Sequence, residues 1–391
     1  MIKREIENII AEYTRTFPVV AFTGARQTGK TTLIKHLFPN YRYFNLEELS
    51  TYRRVRDDVA SFVNPGVSKV IIDEIQRMPE LLSQIQATVD VQKKMGSYII
   101  SGSQNLLLSE HISQSLAGRA AYIELPGLVL SELAGMDGAD DLYRRIWHGF
   151  YPAVYDRDVD PSMYYDQYVS TYIERDVRLL KNIADLDAFR RFIGSLAGSV
   201  GRPFNASSIA DNIGVSPGAV KNWLSVLEAT YIIFRLRPFY RNIGKQITKT
   251  PKIYFYDTGL LCFLLGVPSP ADLANHYMIG PIFENFVIAD IKKSIMNRKS
   301  FEKIFYYRDK RGEVDLLIND GDTYRPVEIK RAMSYSSHFT EGLRYWCDLF
   351  SGGDMKISLP CIVYAGETHE PGNTFRLINW KDATAVFPLS H

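Results

Sequence analysis

Residues Gly24 to Thr31 read GARQTGKT, matching GxxxxGK[ST] in full. That spacing suits phosphate chemistry. Gly24 and Gly29 let the chain turn tightly without a clashing Cβ. The loop then turns its N–H groups inward around a β-phosphate, and the following helix adds the positive end of its dipole. Lys30 is expected on a surface phosphate site, reaching the β- and γ-phosphates, with the Thr31 hydroxyl as a magnesium ligand. The expected cradle runs through Gly24, Ala25, Arg26, Gln27, Thr28, Gly29, Lys30, Thr31 and Thr32, and its ligand is ATP with Mg2+.

Downstream, KVIIDEIQ is an apolar run ending in Asp73-Glu74. Behind a phosphate loop, a carboxylate at such a strand end holds magnesium, directly or through water, and the next acid can polarise the attacking water. Asp73 is therefore assigned to the metal and Glu74 to the catalytic base. SYIISGSQN ends in small polar residues, so Ser103 or Gln104 either senses a γ-phosphate or forms a plain strand-end turn. Arg119, in LAGRA, reads as a structural cation more readily than as an arginine finger.

These residues need a scaffold that brings strand ends together. PVVAFTG, YRYFNLE, KVIIDEI and SYIISGS are short and continuously apolar, and TTLIKHLF is helical in pattern. Strands without alternation indicate a parallel sheet covered by helices on both faces. The fold class is α/β, with boundaries expected near Asp140 and Thr250. Residues 1–140 form the nucleotide domain, 141–250 a helical domain and 251–391 a third domain of strands and turns such as KIYFYDTG, EVDLLIND and RPVEIK.

Within the middle segment, Ser207 is expected to cap a first helix that Gly214 ends, and Ser216 to cap a second, SPGAVKNWLSVLEAT. Ile209, Ile213, Val220, Leu224 and Leu227 would form their shared core. YIIFRLRPF would follow as a wing strand. Residues 171–250 hold twelve Lys or Arg against six Asp or Glu. This segment resembles a winged helix that tests DNA through Lys221 and Asn222. A lid on the nucleotide domain is the equally weighted alternative.

The phosphate loop together with FNLE, VIIDEIQ, ISGSQN, LAGR and LPGLVLSEL resembles the AAA+ ATPases of bacteria and archaea that carry an uncharacterised C-terminal domain. The resemblance covers essentially the whole chain. It implies an AAA+-type core, a winged-helix-like segment and a nuclease-like C-terminal fold, and no settled biological task. In the last domain, Glu284 in PIFENFVIADIKKSI, Asp315 in RGEVDLLI, and Glu328 with Lys330 in VEIK stand in an order resembling the PD-(D/E)xK nuclease fold. That resemblance implies metal ligands at Glu284, Asp315 and Glu328, and a water-activating Lys330. Alternate strand residues share a face, so Glu328 and Lys330 point the same way. The other readings are a domain that keeps the shape and binds partners without cutting, and a charged sheet edge stabilised by Glu328–Lys330 and similar pairs.

Bulk composition narrows the classes further. The net charge is +2, so total charge selects no partner. Cys262, Cys347 and Cys361 lack zinc-knuckle or redox spacing, which fits a reducing, cytoplasmic setting. The amino end has no apolar run, and the longest apolar stretch, GLLCFLLGV, is about half of a bilayer span. The expected partners are DNA, a protein partner or further copies of the chain, and no membrane.

Overall fold

The computed structural model describes residues 1–102, 116–177, 183, 185–240, 250–351, 355–367 and 374–387, with the backbone alone at 174–177. Two compact units emerge. One comprises Met1–Gly127, Ala229–Tyr231 and Met296–Arg298; the other comprises Leu128–Glu228, Ile232–Ile295 and Lys299–His391.

The first unit runs α1 (Glu7–Thr16), β1 (Val19–Thr23), α2 (Lys30–Leu37), β2 (Arg42–Asn45), α3 (Leu49–Asp57), β3 (Val70–Asp73), α4 (Leu81–Gln92), β4 (Tyr98–Ser101) and β5 (Ala120–Glu124). Its described strands form a parallel sheet in the order β2-β3-β4-β1-β5. The continuous apolar strands have the predicted cause. Val19 and Ala21 pack with Val70, Ile72 and α4 on one face. Val20 and Phe22 pack with Ile71, Ile99, α1 and α2 on the other. Successive side chains enter opposite layers, so neither face tolerates a polar residue. With all strands parallel, the phosphate loop after β1 and the acids after β3 emerge at the same edge.

The second unit begins with α5 (Leu142–His148), α6 (Pro152–Asp156) and α7 (Pro161–Tyr168), which continues as a π-helix over Val169–Val177. Tyr151, Tyr164, Tyr165 and Tyr168 are buried against one another, so this tyrosine-rich stretch is core. Next come α8 (Leu186–Ala197), α9 (Ala206–Ile213) and α10 (Pro217–Ala229). The five apolar residues expected to join the last two helices are all buried, and Trp223 meets Phe189 edge-on at 5.5 Å. One cap differs from expectation. The Asn205 side chain accepts from the Ser208 N–H, so α9 starts one residue before Ser207. Asn and Ser cap about equally well, and the β-region backbone of Asn205 is what capping needs.

A mixed sheet follows: β6 (Ile233–Pro238), β7 (Lys252–Phe255), and, after helices α11 (Thr258–Leu264), α12 (Pro270–Ala274) and α13 (Ile279–Arg298), β8 (Lys303–Arg308), β9 (Glu313–Asp320) and β10 (Thr323–Lys330). Helix α14 (Glu341–Phe350), β11 (Lys356–Ile357), β12 (Cys361–Tyr364) and β13 (Arg376–Asn379) complete it. The strand order is β13-β12-β10-β9-β8-β6-β7, with β11 beside β10. The predicted hairpin turn NDGD joins β9 to β10, with Gly321 at φ 62°. β6 pairs with β7 and with β8, so this sheet crosses the break expected near Thr250.

LPGLVLSEL finds its physical role here. On the buried helix α13, Asp290 accepts from the Leu130 N–H at 2.8 Å. Lys293 donates to the Leu128 carbonyl at 2.5 Å, its ammonium 3.3 Å above the Phe150 ring. Among the described residues no helix is long and apolar enough to cross a membrane. Asn205→Ala should cost about 1 kcal/mol of local stability, the usual value of a lost cap, and Ser207→Ala far less. Hydrogen exchange along α9 checks this; equal effects of the two substitutions would contradict the assignment.

Candidate functional site

Gly24 leaves β1 at φ 137°, and a Cβ there would lie 2.3 Å from the Leu125 carbonyl oxygen. Because that obstacle is main chain, no rotamer change relieves it, and only glycine fits. Gly29 then turns the loop into α2 at φ 87°. The loop is tied from behind by Arg4. Its buried guanidinium donates to the Thr28 carbonyl at 3.0 Å and to the carbonyls of Pro126 and Gly127 at 2.8 and 3.2 Å. Inside the loop, the Thr28 hydroxyl donates to the Ala25 carbonyl at 3.0 Å.

Lys30 differs from the surface placement expected of it. It is 8% exposed, and its ammonium donates to the carbonyls of Gly24 and Ala25 at 2.9 and 2.7 Å. Burial pushes its pKa down to about 8, against the upward pull of Glu74 and Asp73. The chain thus holds a desolvated cation in a turn of backbone, an arrangement that gains strongly from an anionic ligand.

Asp73, at the end of β3, is the hub of the site and is 5% exposed. Its Oδ2 accepts from the Thr31 hydroxyl at 2.8 Å and from the Tyr43 hydroxyl at 2.7 Å. Its Oδ1 accepts from the Ser101 hydroxyl and from the Glu74 N–H. The two groups expected to share magnesium, Thr31 and Asp73, are therefore brought together. A hydroxyl beside a carboxylate is the hard oxygen set that this ion prefers. The phenol of Tyr43 is driven far above its ordinary range, by burial first and then by Asp73, and it stays a hydrogen-bond donor.

Glu74 follows directly with a left-handed backbone, φ 57° and ψ 44°, and accepts from the Gln76 amide. A non-glycine residue in that region is uncommon and marks a position held by its surroundings. Arg119 lies at the start of β5, the end of the sheet away from the phosphate loop, where Asp90 holds it through two contacts of 2.5 and 2.9 Å. That geometry favours its structural reading. Ser103 and Gln104 lie outside the described residues.

The second unit gathers a different set. Glu284 on α13 accepts from Lys252 at 3.1 Å and from Tyr254 at 2.5 Å. Lys252 also pairs with Glu313 at 2.7 Å. Lys330 pairs with Glu328, confirming that the two share a strand face, and lies 3.6 Å from Asp315. Asp315 in turn accepts from the Ile329 N–H at 2.9 Å. Burial, then the charge of Asp315, raises the pKa of both Glu284 and Glu328. Burial alone would lower that of Lys252, but Glu284, Asp315 and Glu313 outweigh it.

The expected metal ligands Glu284, Asp315 and Glu328 are thus near neighbours, but they are interleaved with ammonium groups. Among the described residues no group of three or more His, Cys, Asp or Glu side chains is placed to hold a metal ion. Two of the three expected ligands, Glu284 and Glu328, each face an ammonium group in this arrangement. Lys252, the partner of Glu284, lies 32 residues before it, and no short motif marks it. Lys221 and Asn222 are exposed on α10. Tyr43, Ser101 and Arg4 were also invisible to motif reasoning.

Comparison with known proteins matches three stretches of the chain. Residues 16–134 match an AAA domain, 139–271 a domain of unknown function (DUF8612) and 279–382 another (DUF4143). The chain is 30% identical over 359 residues to the uncharacterized protein Rv2008c of Mycobacterium tuberculosis, covering 90% of this chain and 78% of that one. It is 22% identical over 363 residues to the uncharacterized protein MJ1637 of Methanocaldococcus jannaschii, covering 77% and 72%. Among solved structures, the Walker-type ATPase paby2304 of Pyrococcus abyssi aligns with a TM-score of 0.39 at 14% identity, over 68% of this chain and 96% of that one. The chain belongs to the family of Rv2008c, and its own residues 16–134, which carry the phosphate loop and the acidic strand end, are an AAA-type P-loop ATPase domain.

Proposed function

We propose that this protein binds ATP with magnesium at residues 24–32 and hydrolyses it to control an action on DNA exerted by the second unit. The observation that carries the ATP part is the Thr31–Asp73 hydrogen bond of 2.8 Å beside the buried Lys30. Lys30 neutralises the β- and γ-phosphates, Thr31 and Asp73 hold the metal, and Glu74 orients the attacking water. Bound Mg2+ would supply charge neutralisation between the phosphates. The DNA part rests on the helix pair α9–α10, the exposed Lys221 and Asn222, and the excess of cations over residues 171–250. In this reading the pair and the strand after it form a winged helix, and the sheet with α13 and α14 is a nuclease-like domain.

One observation favours a second reading for that last domain, recognition without cutting. Lys252 pairs with Glu284 and Glu313, and Lys330 with one oxygen of Glu328, so ammonium groups occupy part of what a nuclease would turn to metal. On this reading the protein is a nucleotide-operated switch whose helix pair and sheet bind a partner.

ATP turnover measured without DNA and with linear duplex, single strand and a four-way junction separates the readings. Stimulation by any DNA supports the first. Unchanged turnover with a nucleotide-dependent change of oligomeric size supports the second. Lys30→Ala is expected to lower turnover by about 10²–10³-fold, as for loss of one charge-stabilising donor, with the circular dichroism spectrum kept; normal turnover would refute the assignment. Glu74→Gln should bind ATP and release product at least about a hundredfold more slowly; fast hydrolysis by this variant would move the base elsewhere. Lys252→Met should give the second unit measurable Mn2+ affinity by calorimetry where the parent has little. Should the parent protein bind Mn2+ there and cut DNA in an Asp315-dependent way, the recognition-only reading falls.

A further inference from the structure

Asp73 is engaged more fully than a metal-holding carboxylate can remain. An ionised carboxylate offers about four lone-pair positions, and four protein donors use them: Thr31 and Tyr43 on Oδ2, Ser101 and the Glu74 N–H on Oδ1. For Asp73 to take part in holding magnesium, directly or through a metal-bound water, one donor has to yield. The donors are not equally free. The Glu74 N–H is main chain. Ser101 is wholly buried on β4. Thr31 can keep its hydrogen on Asp73 while its oxygen faces the metal. Tyr43 stands on β2, which ends the described sheet order, and it is only half-buried. The exposed Lys35 ammonium lies 3.7 Å over its ring, on the solvent side.

We propose that Tyr43 is a positioning residue that holds Asp73 Oδ2 in place and surrenders that oxygen when magnesium-bound nucleotide arrives, thereby setting how much magnesium the site requires. This inference rests on the reading of residues 24–32 and Asp73 as an ATP–magnesium site. Its physical content is a competition. The phenol and a metal-bound water seek the same lone pair, so a phenol that binds it raises the metal concentration needed. No proton changes hands, since the phenol remains protonated throughout and the exchange is one hydrogen bond for another.

Tyr43→Phe removes the hydroxyl and little else. Titration of Mn2+ into the protein–ATP complex, followed by electron paramagnetic resonance, is expected to reach half-saturation at about five- to tenfold lower metal in the variant. That factor is the usual net worth of one protein hydrogen bond, since one donor is exchanged for another. ATP binding in the presence of a chelator should be the same for both proteins. A purely structural role for Tyr43 would weaken ATP binding with and without metal alike, and that result overturns the proposal. So does an unchanged or higher metal requirement. A second measurement guards against a misfolded variant. With 3-fluorotyrosine at position 43 of the otherwise unaltered protein, the fluorine resonance should move on adding ATP with Mg2+ and stay put on adding ATP alone. A resonance indifferent to the metal overturns the proposal even where ATP binds. If the parent protein binds no ATP at all, the reading beneath falls and takes this one with it, an outcome distinguishable in the same titration.

Discussion

The first unit is organised around one buried negative charge. A carboxylate taken out of water costs several kcal/mol unless donors replace its hydration, and Asp73 obtains its donors from three strand ends and a helix start. β2 supplies Tyr43, β3 Asp73 itself with the Glu74 N–H, β4 Ser101, and α2 Thr31. Only a parallel order delivers all of these to one edge, and it is the central placement of β4 and β3 that lets them converge. The apolar layers on both faces of the sheet fix the positions of those strand ends. The hydrophobic packing and the polar hub therefore depend on each other: the layers set the register, and the register sets the hydrogen bonds.

The second unit solves the same problem with ions of opposite sign. Glu284, Glu313, Asp315 and Glu328 are kept company by Lys252 and Lys330 rather than by a ring of neutral donors. Burial raises the pKa of Glu284 and Glu328, so the cluster resists carrying all of its negative charges at once. A cluster of this kind needs each member. Removal of one ammonium leaves an uncompensated buried carboxylate, which is the expensive half of any buried ion pair.

What the sequence disclosed, and what it hid, follows from range. The phosphate loop, the acidic strand end, the four apolar strands and the helix pair are each written in a contiguous stretch, because their physics is local: turn conformation, periodicity and capping. The shared face of Glu328 and Lys330 was legible for the same reason. Tyr43, Ser101, Arg4 and Lys252 were not. Each acts on a partner between 24 and more than 120 residues away, and no spacing rule links a tyrosine on one strand to an aspartate on the next. The cap at Asn205 was missed by two residues because Asn and Ser cap almost equally well, so that tertiary packing decided between neighbours. The apparent break at Thr250 reflects a change of local pattern, from helical to strand, within a sheet that continues across it.

That continuity has a consequence for how such a protein can be divided. β6, from the middle of the chain, lies between β7 and β8 and hydrogen-bonds to both. A fragment starting after residue 250 would keep β7 and β8 but lose the strand that joins them, leaving two bare rows of main-chain amides, the kind of surface on which chains aggregate. The carboxyl-terminal part is consequently no detachable cassette. Recombination that exchanged it without residues 233–238 would produce an adhesive sheet, so the two stretches of unknown function should be inherited as a pair.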